Sequence, residues 1–555
     1  MLTDEPVLTR ARRGFSLVYK NKTLLSTVDP AERAEKAAEK VPAMERTLYF
    51  CPSPLLGYGL EAFISRLSPD SAILCVETDE KLFSLSVSPA GSSAGSSAAF
   101  SHPRLLLTDE KDPAALCALV RERWGSRVFR RVVPLKLNGG WQLDAAGYDG
   151  LETALRNDIA LEWGNAMTLV KLGRRYARNA VRNLSALCAS EKPGAFSFGF
   201  DPVLVLGAGP SLDGFLDVLS KRASPERFEN LPFRIVCVDT CVPVLLNRGI
   251  RPDLAVVLES QYWNVKDFIG ARNSRIPAAF DLSSYPAVTE LFGGRRFFFL
   301  TPWTSLRLLG RISGYFSVPV LPPLGSVGLT AVELAGRLSK GPIVTAGIDF
   351  SFTLDATHAR GSPSHLALLQ RQNRFRGLVD AGAAFRGGVF RAASKSGVPV
   401  FSNPAMRTYR NLFEETFSRA GNIYDVSGTG LSLGLKTLGP EEALGLLRAS
   451  GGISRELPAP SGGEQPARSG RGRDFAEKEL ETLVELRDIL GGVRGGEKLP
   501  WLLEELDYLW AHFPEYAAAE GKKPSVTDTG FLKRVRAEID PFVKLWELLK
   551  KAFRP

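Results

Sequence analysis

Along the chain the apolar positions fall into two kinds of run. Short continuous runs bounded by glycine, proline or acid read as buried parallel strands, and runs with spacing of three and four read as helices. Thr47–Cys51 and Ala72–Val76 are runs of the first kind, separated by Pro54-Leu-Leu-Gly57-Tyr-Gly59-Leu60 and a helical stretch Glu61–Leu67. Residues from about 149 to 190 are helical. Beyond them Pro202–Leu206, Arg234–Val238, Arg251–Leu258 and Pro342–Ala346 repeat the strand pattern, each followed by a turn and a helical run. Strand alternating with helix predicts parallel sheets. The tail returns to helical periodicity in Leu480–Leu490 and Phe542–Leu549.

This pattern divides the chain into an N-terminal Rossmann-like domain over 1–147, a basic helical lead-in over 148–194 and a central α/β domain over 195–440. A flexible linker over 441–473 and a C-terminal helical domain over 474–555 complete it. The fold class is α/β, with two Rossmann-like domains and a helical C-terminal segment. Ser86–Ser101, with Gly-Ser-Ser-Ala-Gly-Ser-Ser, reads as a surface loop, and Gly451–Arg473, rich in Gly, Pro, Ser and Arg, as the disordered part of the linker.

Composition narrows the function. The 555 residues carry 70 Lys and Arg against 60 Asp and Glu, a formal net charge of +10. Placement decides what that excess means. It concentrates on the helix face Lys171, Arg174, Arg175, Arg178, Arg182, in the 451–473 segment and at the C-terminal end, with no aromatic-interleaved groove to stack bases, so nucleic acid is not the expected partner. No run reaches the roughly 20 apolar residues of a membrane span, and the acidic N-terminus lacks a secretory h-region, so a cytoplasmic location is expected. The six cysteines lie mostly within apolar runs and read as buried free thiols, and four histidines are too sparse for a zinc site with them.

Four stretches carry the candidate chemistry. Gly207-Ala-Gly209-Pro210-Ser211 follows a strand and opens a helix. Glycines there let a backbone approach an anion, and Ser211 can cap the helix or give its hydroxyl to a phosphate. Asp239-Thr240 and Glu259 stand at the ends of the next two strands, where α/β sheets present ligand contacts. Ser326 and Thr330 open a further helix. Gly347-Ile-Asp349 ends a strand, and the polar stretch Thr353–His365 after it holds His358, Arg360 and His365, a histidine being suited to general base work near neutral pH. In the N-terminal half, Glu77 ends a strand as a ribose-binding acid would, but with only Gly57 and Gly59 in a proline-containing turn it reads as a structural relic.

Gly207-Ala-Gly-Pro-Ser-Leu212, Asp239-Thr240, Arg251-Pro-Asp253, Gly325-Ser-Val-Gly-Leu-Thr330 and Gly347-Ile-Asp-Phe350 stand in an order and spacing similar to the motility-associated factor (Maf) glycosyltransferases. Residues 150–440 carry the resemblance. Pro54–Leu60 and Val76-Glu77 extend it loosely, and Arg175-Tyr176-x-x-Asn179-x-x-x-Asn183 resembles that family's basic Trp/Asn-rich helix, with tyrosine in place of tryptophan. The resemblance implies a central domain related to bacterial sialyltransferases, a GT-A-like variant. It implies transfer of a nonulosonic acid from a CMP-activated donor to Ser/Thr hydroxyls of flagellin, with no required cofactor or metal. On this basis Gly207, Gly209, Pro210 and Ser211 would lie at the phosphate, Asp239, Thr240 and Glu259 at the nucleoside, and Ser326, Thr330 and Asp349 at the sugar or phosphate. His358 or His365 would be the base and Arg360 would hold the departing phosphate. The lid tyrosines of the sialyltransferases have no counterpart between Ser351 and His365.

Two other readings stay open. Archaeal 6-hydroxymethylpterin diphosphokinases share the glycine turn, but their Asp-Leu-Asp-Gly type segment is Leu258-Glu-Ser-Gln261 here, one carboxylate in place of two where Mg²⁺ would need them clustered. A non-catalytic flagellin-binding scaffold is the third.

Overall fold

The computed structural model describes residues 5–87, 100–125, 128–222, 231–302, 306–375, 377, 381–449, 453, 465–514, 516 and 526–553, the side chains of 165–166, 264, 267, 269 and 465–467 excepted. It divides into two compact units, residues 1–171 with 511–524, and residues 172–510 with 525–555. The division falls within one 44-residue helix, Ala145–Cys188, rather than at its start.

In the first unit β1 (Val7–Arg10), β2 (Phe15–Tyr19) and β3 (Lys22–Thr23) form an antiparallel meander. β4 (Thr47–Pro52), β5 (Ala72–Val76), β6 (Leu105–Thr108) and β7 (Arg131–Pro134) form a parallel sheet in the order β6-β5-β4-β7. That is the order of a Rossmann half, and both strands read from the sequence stand at its centre. The C-terminal ends of β4 and β7, where such a sheet would take a ligand, are occupied by the protein itself. Ser53 donates its hydroxyl to Glu77 Oε2 at 2.6 Å, Tyr148 donates to Glu77 Oε1 at 3.1 Å, and Asn138 donates to the Ser53 carbonyl at 2.9 Å. Glu77 is buried, and that burial raises its pKa. The acid therefore ties the turn after β4 to the helix Ala145–Cys188.

In the second unit eight strands form one parallel sheet: β8 (Val203–Leu206), β9 (Arg234–Val238), β10 (Leu254–Val257), β11 (Ala278–Asp281), β12 (Arg296–Phe299), β13 (Ile343–Ala346), β16 (Ile423–Val426) and β17 (Lys436–Leu438). The order is β12-β11-β10-β9-β8-β13-β16-β17. Between β13 and β16 the chain makes an antiparallel hairpin, β14 (Phe390–Ala393) and β15 (Pro399–Ser402). Strands β8 to β11 and β13 are buried throughout, which is why their residues read as apolar runs, whereas the edge strand β17 is exposed at Lys436 and Thr437. All six cysteines are free and buried. No helix among the described residues is long and apolar enough to cross a membrane.

Both ends of the segment read as linker are helical: Pro440–Arg448 forms one helix, and another runs from Gln465 to Leu490. Residues 450–452 and 454–464 lie outside the described residues, as do 88–99 of the Gly-Ser stretch. The composition misleads because Gly472 works as a packing residue. A Cβ there would stand 2.5 Å from Phe553 and 2.9 Å from Cys188 Sγ, so glycine lets three helices meet. Arg468 adds a bond to the Ser190 carbonyl at 2.7 Å.

The helices Gln465–Leu490 and Thr529–Ala552 bury Leu483, Leu486, Val535, Ile539, Phe542 and Trp546. Arg311, on the helix Arg307–Phe316, braces this end, its Nε 2.8 Å from Glu479 and its Nη1 2.8 Å from Glu505. Asp507 accepts the Arg307 N–H at 2.9 Å with one oxygen, and its other oxygen is buried without a hydrogen bond. Burial pushes its pKa up to about 7 against Arg307 and Arg311. The native state thus holds a proton that the unfolded chain releases at lower pH, so stability falls as pH rises from about 4 to about 7. Asp507→Asn keeps the acceptor for Arg307 and removes the buried charge. Thermal melts at pH 8 should show the variant stabilised by about 1–3 kcal/mol, the gain disappearing near pH 5. A gain equal at both pH values would show that the charge is not the cause.

Candidate active site

Strand β8 is where the large sheet changes direction: the chain proceeds from it to β9 on one side and returns at β13 on the other. Ligands of open α/β sheets bind in the crevice beyond the strand ends at such a point. Here Gly207–Ser211 leaves β8, Gly347–Ser351 leaves β13, and Ser427–Leu431 leaves β16. The three turns meet. Gly207 N–H donates to the Ala346 carbonyl at 2.9 Å and Gly209 N–H to the Gly347 carbonyl at 2.8 Å. A Cβ on Gly207 would lie 2.4 Å from the Gly347 oxygen, and one on Gly347, whose φ is +72°, 2.5 Å from the Gly207 oxygen. These glycines are needed for turn-to-turn contact.

Asp349 is the centre of the junction. It is 3% exposed and accepts hydrogen bonds from the Ser211 N–H, at 2.8 Å, and from the Ser211 hydroxyl. The third turn closes on it: Leu431 N–H donates to its carbonyl at 2.9 Å, and Cβ atoms on Gly430 and Gly428 would stand 2.7 Å from Asp349 Oδ1 and 2.8 Å from Ser211 Cβ. Burial raises the Asp349 pKa, opposed by the Ser211 bonds and Lys395. The serine hydroxyl expected to reach a phosphate is therefore engaged inside the protein, with a carboxylate where an external anion would bind at this helix entrance.

Close to Asp349 lies a buried ion pair. The β14–β15 turn inserts Lys395, whose Nζ is 2.6 Å from Asp425 Oδ2, with both side chains buried, and Thr345 donates to Asp425 Oδ1 at 3.0 Å. Burial pushes Asp425 up to about 6, with Lys395 pulling the other way. Neither residue nor the third turn was singled out from the sequence. Val426-Ser-Gly428-Thr-Gly430 repeats the strand-then-Gly-x-Gly pattern of Leu206-Gly-Ala-Gly209 and would have marked the turn. Lys395 carried no local signal, because its partner lies 30 residues on.

The loop after β13 lies on the first turn, Ala359 N–H donating to the Ala208 carbonyl at 2.9 Å. Arg360 follows, its N–H 3.0 Å and its Nε 3.4 Å from Asp213 Oδ2 on the helix Leu212–Arg222. Its side chain is 66% exposed, so this pairing is weak and leaves the guanidinium free to swing. His358 is half-buried, with Nδ1 3.2 Å from the Thr357 hydroxyl, and burial lowers its pKa. His365 is not in a loop: Ser362 caps, and Pro363 opens, the helix Pro363–Arg371 that contains it. Its Nδ1 accepts the Gly361 N–H at 3.2 Å.

The remaining candidates line the same edge or lie inside it. Asp239 is buried and accepts the Thr240 N–H at 2.7 Å. Glu259 accepts the Gln261 N–H at 2.8 Å and, with burial as the larger cause, helps push Tyr176 up to about 12. Ser326 caps the helix Val327–Leu338 by accepting from Gly328 N–H at 3.3 Å. Thr330 is fully buried in that helix and donates to the Ser326 carbonyl at 3.2 Å, so its hydroxyl serves the helix and does not face the crevice. Asn179 donates to the Ser260 and Ser283 carbonyls, at 2.9 and 3.0 Å, and Asn183 to those of Leu282 and Ser284, at 2.8 and 2.9 Å. The Tyr-x-x-Asn-x-x-x-Asn helix thus holds the loops after β10 and β11.

Residues 175–355 match the family described as 6-hydroxymethylpterin diphosphokinase MptE-like. That stretch begins at the Asn-bearing helix and ends in the loop that carries His358. An uncharacterized protein of Treponema pallidum (strain Nichols) is 28% identical over 97% of this chain and 95% of its own length. The structure of the MAf glycosyltransferase from Magnetospirillum magneticum AMB-1 is similar with a TM-score of 0.49 and 15% identity, covering 99% of this chain and 90% of that one.

Proposed function

We propose that this protein is a metal-independent glycosyltransferase of the Maf kind, moving a nonulosonic acid from a CMP-activated donor to Ser/Thr hydroxyls of flagellin in the cytoplasm. What chiefly supports the reading is the meeting of three glycine turns on Asp349 at the point where the sheet reverses, with the His358–Arg360 loop laid on the first of them. The MptE-like match supports the shared central region.

In this reading the donor lies along the C-terminal edge of the sheet, its nucleoside toward Asp239 and Glu259. Arg360 leaves Asp213 for the phosphate. The two histidines separate on chemistry. His365 Nδ1 accepts a backbone N–H, so its neutral ring carries the proton on Nε2 and has no free lone pair there to offer. His358 can donate from Nδ1 to Thr357 and present Nε2, and burial keeps it neutral. His358 then takes the acceptor hydroxyl proton as oxygen attacks the anomeric carbon, and the bond to the phosphate breaks with its electrons leaving on CMP. Arg360 stabilises that charge.

The diphosphokinase reading is favoured by the description of the matched family, and it asks for clustered carboxylates at the end of β10, where only Glu259 stands. Calorimetric titration with CMP, with MgATP plus 6-hydroxymethylpterin, and with flagellin separates the cases. CMP binding is expected; pterin and MgATP binding without CMP would move the protein to the kinases, and flagellin binding alone to the scaffold. Mass spectrometry of flagellin from a strain lacking the protein should show lost glycan mass, and an unchanged mass would exclude the transferase.

A further inference from the structure

Two strands from β8, the loop that leaves the C-terminal end of β10 carries two exposed aromatic side chains. Tyr262 is 60% and Trp263 65% exposed, an unusual placement for rings of this size. Their rings are edge to face at 5.9 Å, Tyr285 adds a third ring at 6.0 Å from Tyr262, and Lys266 Nζ stands 5.3 Å from the Trp263 ring. The loop is held rigidly at its root, by Asn179 on the Ser260 carbonyl and by Glu259 accepting from Gln261.

The same helix supplies charge. Tyr176, Asn179 and Asn183 form the stripe that holds the loops, and Arg175, Arg178 and Arg182 each precede one of them, so they form a neighbouring stripe rotated by about 100°. Arg175 and Arg182 are exposed, whereas Arg174 pairs with Glu538 at 2.8 Å. Arg178 is held below the usual arginine value by burial and by the positive charge of Arg182 and Arg174. A basic stripe thus lies on the helix that holds this aromatic loop.

We infer that Tyr262, Trp263 and the Arg175–Arg182 stripe form the docking surface for an acidic polypeptide segment, the stretch of acceptor protein that brings its hydroxyl to the crevice. The inference rests on the transferase reading. Tyrosine, tryptophan and arginine are the side chains that carry protein–protein binding energy, and the arginines select for acid. The edge-to-face rings offer no parallel faces between which successive nucleobases would stack, which favours polypeptide over nucleic acid.

Fluorescence anisotropy with the full chain tests this, using three labelled probes: a 20-residue peptide of Glu, Asp, Ser, Thr and Tyr, the same peptide with Lys for each acid, and a dT 20-mer. The acidic peptide should bind at least tenfold more tightly than the Lys peptide, and more weakly at 0.5 M NaCl. Trp263→Ala should weaken it at least fivefold. The Arg175→Glu/Arg182→Glu variant should reverse the preference. These positions are exposed, so thermal midpoints should hold, and CMP affinity should be unchanged. Equal affinity for the two peptides, preference for dT, or full binding by the charge-reversed variant would overturn the inference. CMP binding with no peptide preference defeats the docking surface alone; peptide preference without CMP binding defeats the donor reading alone.

Discussion

Asp349→Ala is expected to abolish CMP binding in a calorimetric titration and to lower the thermal midpoint of the second unit. The carboxylate holds the Ser211 N–H and hydroxyl, and three turns converge on it. Alanine leaves both donors without their partner at a half-buried serine, each at up to about 1–3 kcal/mol, and frees the turns from one another. Asp349→Asn separates fold from charge. An amide of the same shape accepts the Ser211 N–H through Oδ1 and offers its NH₂ to the serine oxygen, so most of the stability should return. Wild-type CMP affinity in the alanine variant would remove the site from this junction.

His358→Ala should leave CMP affinity within about twofold and lower turnover by about 10²–10⁴, the range general base catalysis supplies. His365→Ala should keep most of the activity, because that ring's accepting nitrogen is engaged by Gly361. The pH profile gives an independent check. Burial lowers the His358 pKa from 6.5, and a base works deprotonated, so kcat/KM should fall only as pH drops below 6.5. Full turnover in the His358 variant would place the base on another residue, and an ascending limb centred above 6.5 would speak against a buried histidine.

Local pattern carried far where each residue's surroundings were also local. Arg234–Val238 and Ala72–Val76 are strands with the boundaries their apolar runs suggest, since a strand covered on both faces must be apolar throughout. Ser326 is a cap, and the helix after it begins at once. Where a residue's meaning depends on what stands across from it, pattern misled. Glycines in Gly207–Gly209 looked like room for an anion and are room for Gly347 and Asp349. Gly470 and Gly472 resembled linker and lie in a helix packed against Phe553. His365 looked like a partner of His358 in one polar loop, yet Ser362 and Pro363 had already started a helix.

The sequence by itself determined the alternation of buried strands and helices, and with it two parallel sheets, because apolar periodicity records burial along the chain. Only the tertiary structure decided which turns meet. Asp349 with Ser211 spans 138 residues and Lys395 with Asp425 spans 30, and such pairings leave no periodic trace in the chain. They exist because the reversal of strand order at β8 brings separate strand ends to one place, where burial makes each charge require its partner.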